Sequence, residues 1–218
     1  MTQPEKPVQD PWLLTPGPLT TSRTVKEAML HDYGSRDLRF IEINRRVRER
    51  LVEIIDGQGT HVCVPLQGSG TFVVEAMLSN FVPRSGKVLI LVNGAYGTRM
   101  QSICAYHGID SEVLQWPEDE PVDPNKVAER LAGAPGITHV AVVHCETTTG
   151  ILNPIEDVGE AVAAAGRSLL IDSMSAFGAL SISARNIQFD ALVASSNKCL
   201  EGAPGMGFCL ASEPALTA

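Results

Sequence analysis

The sequence predicts an α/β protein: a three-layer αβα sandwich on a mostly parallel seven-stranded sheet with one antiparallel strand. Three observations carry this expectation. From residue 60 onward, short β-prone runs alternate with helical stretches, the order of βαβ units with right-handed crossovers. Runs such as KVLILVN, THVAVVH and SLLIDS are continuously apolar, as in strands covered on both faces. The last link, Ser196 to Gly207, has only about ten residues, whereas a parallel crossover needs about a dozen or more. The final strand, GFCLAS, is therefore expected to run opposite to the other six.

The elements follow in order. Residues 1–20 are polar and carry Pro4, Pro7, Pro11, Pro16 and Pro18, which forbid a helix and favour an extended arm. Residues 21–218 form the domain proper. Thr15-Pro16-Gly17-Pro18 reads either as a rigid turn or as an arm bringing the bare backbone of Gly17 close to a ligand. Residues 23–33 and 37–56 are expected to be helical. In the second, Phe40, Ile43, Val47, Leu51 and Ile54 recur at three and four and predict a buried stripe, with Arg39, Glu42, Arg46 and Glu49 opposite. Strands are expected near 61–66, 87–93, 111–116, 138–144, 168–172, 190–195 and 206–211. Helices are expected near 70–81, 96–107, 123–132 and 155–165.

Composition narrows the function classes. The chain has 218 residues, 44% hydrophobic and 19% charged, enough to bury a core and too apolar for global disorder. Its net charge is −8 with no basic block, which argues against a nucleic-acid binder. The aliphatic runs are too short to cross a bilayer, and the first residues lack the apolar core of a secretory signal. Cys63, Cys104, Cys145, Cys199 and Cys209 form no C-x-x-C pair, so buried thiols in a reducing cytoplasm are expected. No clustered ligands predict a metal site.

Ligands of open α/β sheets collect beyond the carboxyl ends of the strands. Four features fall there. Gln67-Gly68-Ser69-Gly70-Thr71 joins a strand to a helix; it is either a plain tight turn or a cup whose N–H groups and hydroxyls meet an anion. Its glycines match neither the P-loop nor the dinucleotide fingerprint. Asp172 ends SLLID, either capping a turn or facing a cationic ring nitrogen or a metal. Lys198 follows DALVAS, either as a surface side chain or as a desolvated amine that attacks a carbonyl. Tyr96, in NGAYGTR, is either core or a ring face for a flat cofactor. Taken together, the four favour pyridoxal 5′-phosphate. Its phosphate wants a helix N-terminus, its ring a stacking partner, its ring nitrogen an anion and its aldehyde an amine.

At these positions the chain resembles the class V group of fold-type-I pyridoxal-phosphate aminotransferases. The segments are LLTPGPLTTSRTVKEAMLHDYGSRD, PLQGSGTFVVEAML, VNGAYGTRM, HCETTTGILNPI, IDSMSAFGA and SSNKCLEGAPGMGF. The resemblance implies the large cofactor-binding domain of that fold type. It implies that Lys198 condenses with the cofactor's aldehyde and carries the proton, and that Asp172 pairs with the ring nitrogen. Ser69, Gly70 and Thr71 would hold the phosphate with Asn197 beside them. Tyr96 would stack on the ring, Met174 would pack on its other face, and Thr147 would bond near the ring oxygen. Gly17 would line the substrate site. Within the group, the segments are most similar to members that move the amino group of 2-aminoethylphosphonate to pyruvate, giving phosphonoacetaldehyde and L-alanine. Aminotransferases acting between alanine or serine and glyoxylate or pyruvate are the related alternative. A homodimer taking a small amino donor and a 2-oxo acid is implied.

Members of the group continue past the point where this sequence ends, at EPALTA, into a small C-terminal domain with an arginine for the acidic substrate. A truncated chain is thus expected, one that binds cofactor with or without turnover. An apolar flank is expected around the last strand.

Overall fold

The computed structural model describes residues 10–217; the portion of the arm carrying Pro4 and Pro7 lies outside the described residues. In chain order the elements are α1 (Arg23–Ala28), α2 (Leu38–Ile54), β1 (His61–Gln67), α3 (Gly70–Phe81), β2 (Lys87–Val92), α4 (Ala95–His107) and β3 (Asp110–Gln115). There follow α5 (Pro124–Gly133), β4 (His139–Val143), α6 (Ile155–Ala164), β5 (Ser168–Asp172), β6 (Ala191–Ser195), β7 (Met206–Ser212) and α7 (Glu213–Leu216). The strands form one sheet in the order β1-β7-β6-β5-β4-β2-β3. β7 is antiparallel to both β1 and β6, and the other pairings are parallel. Six strands therefore share one direction and the seventh is reversed, as the short 196–207 link requires.

Strand alternation divides the core into two layers. Leu89, Leu91, Val140, Val142, Leu169 and Ile171 face α2, α5 and α6. Val88, Ile90, Val92, Ala141, Val143 and Leu170 face α3 and α4. The same period of two puts Asp172 on the face of Leu170, and Ser195 on the face of Val193. Both polar strand ends thus point toward the α3/α4 layer. α3 can settle low on that layer because residue 207 is glycine: a Cβ there would run into Cγ2 of Val73.

An amide pair fastens the carboxyl ends of β2 and β4. Asn93 Nδ2 donates to Asn153 Oδ1 at 2.8 Å, and Asn153 Nδ2 donates to Asn93 Oδ1 at 3.1 Å and to the Val143 carbonyl at 2.8 Å. Asn153 Oδ1 also accepts from Val122 N at 3.0 Å. Both amides are buried. Asn153→Ala strands several polar groups at once, so a stability loss of about 2–4 kcal/mol is expected from the shift of the urea midpoint. Asn125→Ala, on an exposed residue, is expected to stay within about 0.5 kcal/mol of the parent.

Three expectations are corrected. α1 ends at Ala28 rather than 33. The predicted stripe on α2 is buried only at Leu51; Phe40, Ile43, Val47 and Ile54 are each more than a third exposed. The buried contacts of α2 are Leu51 and Val52, with Ile55 just past its end, because only its last turns reach the edge strand β1. The exposed apolar surface is not confined to the last strand: Val64, Met206 and Leu216 are exposed beside it, but Trp12 and Leu14 on the arm, Leu30 just past α1 and Leu38 at the start of α2 are more exposed. β7 slots between β1 and β6, so both its edges are hydrogen-bonded. Of the cysteines, Cys63, Cys104 and Cys209 are buried, while Cys145 and Cys199 are half-buried. No helix among the described residues is long and apolar enough to cross a membrane.

Candidate active site

At the carboxyl ends of the parallel strands, one cleft is lined by Ser69, Gly70 and Thr71 from the start of α3 and by Tyr96 from α4. Thr147 from the loop after β4, Asp172 and Met174 from the end of β5, and Asn197 and Lys198 from the turn after β6 complete it. Residues that are far apart in sequence meet here because each follows a strand of the same direction.

α3 is capped by Ser69, whose Oγ accepts from Phe72 N at 3.2 Å. The N-terminal N–H groups of α3 open toward the cleft, where the helix dipole favours an anion. Gly70 lets Met174 pack close: a Cβ there would lie 2.9 Å from Met174 Sδ, which would have to shift. Thr71 Oγ1 accepts from Arg99 Nη1 at 3.1 Å, and the Arg99 guanidinium carbon sits 4.9 Å from the centre of the Tyr96 ring. A cation thus stands beside the α3 N-terminus, held against the aromatic ring.

Asp172 is buried, and its Oδ1 accepts from Met174 N at 3.0 Å. Among the described residues no side chain or N–H is bonded to its Oδ2, which leaves that oxygen for something in the cleft. Burial pushes the Asp172 carboxyl up to about 6, and the charge of Glu146 adds to this. The Met174 N–H and the charges of Lys198 and Arg99 pull the other way. Beneath it, His144 shares a hydrogen bond of 3.1 Å with Ser173 Oγ, and burial pushes its imidazole down to about 4, so it is neutral.

Lys198 is half-buried in a tight turn whose Glu201 N donates to the Lys198 carbonyl at 2.8 Å. Gly17 does not line the cleft wall but lies directly over this lysine. A Cβ at Gly17 would run into Cδ of Lys198 and come within 3.1 Å of the Asn197 carbonyl. Its φ of +140° is a second reason for glycine. The segment is a turn, with Thr15 Oγ1 donating to the Pro18 carbonyl at 2.9 Å, and what the bare backbone of Gly17 approaches is the lysine. Thr147 Oγ1 is hydrogen-bonded to Ser175 Oγ.

Arg99, Ser195 and Val74 also line the cleft and were not among the expected residues. Arg99 had a signal, since it follows Tyr96 by three and so shares its helix face. Glu146 was missed as well. It is fully buried and accepts from Tyr96 N at 3.0 and 3.2 Å. Its signal was the one that singled out Asp172, an acid just past a buried strand.

An amine, a buried carboxylate with an open oxygen, an aromatic face and a cation at a helix N-terminus suit a flat, phosphorylated, carbonyl-bearing ring. The comparisons with known proteins agree in kind. The family model described as aminotransferase class-V matches residues 22–218. A 2-aminoethylphosphonate–pyruvate transaminase of Burkholderia lata is 54% identical over 206 residues, which are 94% of this chain and 55% of that protein. Among solved structures, pyridoxamine–pyruvate aminotransferase from Mesorhizobium loti superposes with a TM-score of 0.87 at 28% identity, covering 99% of this chain and 54% of that one. Alanine–glyoxylate aminotransferase from Nostoc sp. gives 0.88 at 27% identity, covering 99% and 57%. The chain spans about half the length of the curated relatives it matches. A strand order and cleft that the sequence assembles unaided, and a family model that runs from the first helix to the last residue, lead to one conclusion: this chain belongs to the class-V aminotransferase family.

Proposed function

We propose that this chain is the cofactor-binding portion of an aminotransferase that moves the amino group of 2-aminoethylphosphonate to pyruvate, giving phosphonoacetaldehyde and L-alanine. The single observation that carries the chemistry is that Lys198 and Asp172 line one cleft with the N-terminus of α3. The donor and acceptor are taken from relatives more than half identical over nearly all of this chain. The family implies pyridoxal phosphate, and the cleft fits it: the open Oδ2 of Asp172 asks for a proton donor, and Gly70 keeps the cup clear of side chain. When bound, pyridoxal phosphate supplies a sink for the electron pair left as the substrate carbon loses its proton.

The residues of the chain do the rest. Ser69, Thr71 and the α3 N–H groups bind the phosphate, with Arg99 supplying countercharge and Asn197 beside them. Tyr96 gives the ring a flat face, Met174 closes the other, and Thr147 bonds near the ring oxygen. Asp172, held by the Met174 N–H, keeps a proton on the ring nitrogen. Lys198 would hold the aldehyde carbon until the donor's amine displaces it, and its freed amine would then carry the proton between carbons. Gly17 roofs the lysine so that only a small donor enters. Residues 21–218 act as one cofactor-binding domain with 1–20 as an arm, in a cytoplasmic homodimer.

Adding pyridoxal phosphate, reducing with borohydride and mapping peptides is expected to place a stable label on Lys198. Absence of that label would reject the chemistry. Alanine formation from pyruvate is then compared for 2-aminoethylphosphonate, serine and other donors, and glycine formation from glyoxylate is measured with alanine or serine as donor. Faster turnover with serine would move the chain to the glyoxylate-type alternative. A second reading is cofactor binding without turnover. Label on Lys198 with no alanine from any donor would select it.

A further inference from the structure

The start of α4 is capped by a residue from elsewhere in the chain. A helix leaves its first N–H groups without internal partners. The N-cap residue of α4 is Gly94, which has no side chain to offer. The Glu146 carboxylate fills the role instead, accepting from Tyr96 N at 3.0 and 3.2 Å. Gly94 and Glu146 are fitted to each other, since a Cβ at position 94 would run into Oε2 of Glu146. Glu146 is fully buried, and its own backbone is tied down on both sides: its N donates to Ile151 O at 2.9 Å, and its carbonyl accepts from Gly150 N at 2.8 Å.

The consequence reaches the cleft by two routes. α4 carries Tyr96 and Arg99, the ring face and the cation beside Thr71. The loop that carries Glu146 carries Thr147 as its next residue. One carboxylate therefore pins the helix holding one part of the cleft to the loop holding another. We propose that Glu146 is a positioning residue, fixing Tyr96 and Arg99 against the cofactor ring and phosphate by capping α4 across the strand ends. The proposal rests on the pyridoxal phosphate reading above.

The test uses the full chain and four variants: Glu146→Ala, Glu146→Gln, Gly94→Ala and Val162→Ala. Val162 packs on the opposite face of the sheet and reports general loosening. Readouts are pyridoxal phosphate affinity by spectroscopic titration, induced circular dichroism of the cofactor band, and hydrogen exchange at the Tyr96 amide. Glu146→Ala and Gly94→Ala are expected to weaken affinity about tenfold, reduce the induced signal and speed exchange at Tyr96. Glu146→Gln keeps one oxygen for the Tyr96 N–H and is expected to stay within about threefold. Val162→Ala is expected to leave all three readouts at the parent values. Should Glu146→Ala fail to fold, Gly94→Ala and Glu146→Gln decide the question. Affinity within about twofold in Gly94→Ala with an unchanged induced signal overturns the proposal, as does equal weakening by Val162→Ala. A parent chain that takes up no cofactor overturns the underlying reading and this inference with it. A parent that binds normally beside an indifferent Glu146→Ala overturns this inference alone.

Discussion

Lys198→Ala is expected to remove the borohydride-fixed label entirely and to lower any amino transfer by about 10⁴-fold or more. The size follows from two roles resting on one amine. In the proposed function the side chain bonds the aldehyde carbon until the donor's amine displaces it, and the freed amine then takes and returns a proton at the substrate carbon. Among the described residues neither role has a substitute nearby: Arg99 is the other cation lining the cleft, and it is engaged with Thr71 and the Tyr96 ring. Lys198→Arg is the sharper variant. It keeps positive charge and much of the stem, yet a guanidinium neither condenses with an aldehyde nor gives up a proton near neutral pH. It is expected to fail as completely as alanine. Because Gly17 sits over Cδ, the bulkier head also has no room to swing aside. A small primary amine added to the alanine variant is expected to restore part of the rate, since the lost proton carrier is then replaced from solution. Labelling of another residue at the parent level, or alanine formation by the variant within about tenfold of the parent, would remove Lys198 from the chemistry.

The site was legible in the sequence where it depended on strand ends, and illegible where it depended on tertiary contact. Asp172 and Lys198 could be read because Asp172 ends one continuous apolar run and Lys198 lies three residues past the strand formed by another, and a buried run must end somewhere polar. The reversed β7 could be read because the link before it is too short for a crossover. The depth of burial on α2 could not. A repeat at three and four marks one apolar face, but how many turns meet the sheet depends on where β1 lies, and Phe40 stays exposed while Leu51 is covered. Gly17 is visible in the sequence as a lack of bulk, whereas its neighbour, Cδ of Lys198, is 181 residues away and is settled only by the fold. Glu146 is the instructive omission. Its sequence signal equals that of Asp172, but its partner is a backbone amide at Tyr96 and leaves no trace in side-chain pattern.

Asp172→Asn is expected to lower amino transfer by about 10²–10³-fold and to flatten one limb of the chain's pH–stability profile. The two effects have one origin. In the chain by itself the Asp172 carboxyl lies near 6 instead of 3.8, raised first by burial. The folded state therefore holds this proton more tightly than the unfolded state does. Its stabilising contribution is fully present below pH 3.8 and is lost as pH rises through about 6. The span corresponds to a loss on the order of 3 kcal/mol, read as the difference in urea midpoints between about pH 4 and pH 7. Asparagine has no proton to lose, so the variant is expected to lack that component while sharing every other titration. Under the proposed pairing with a cofactor ring nitrogen, the sign of the problem would reverse. Once a protonated nitrogen faces Oδ2, the carboxylate gains a partner that offsets its burial, and affinity is expected to rise from pH 5 toward 7 in the parent but not in the variant. Asparagine also cannot hold a cation at that nitrogen, which removes the electrostatic support for the proton step near neutral pH. A variant whose stability difference between about pH 4 and pH 7 matches the parent's would show that Asp172 titrates normally. A variant with parent-level transfer and the same pH-dependent affinity would show that the ring nitrogen meets some other group.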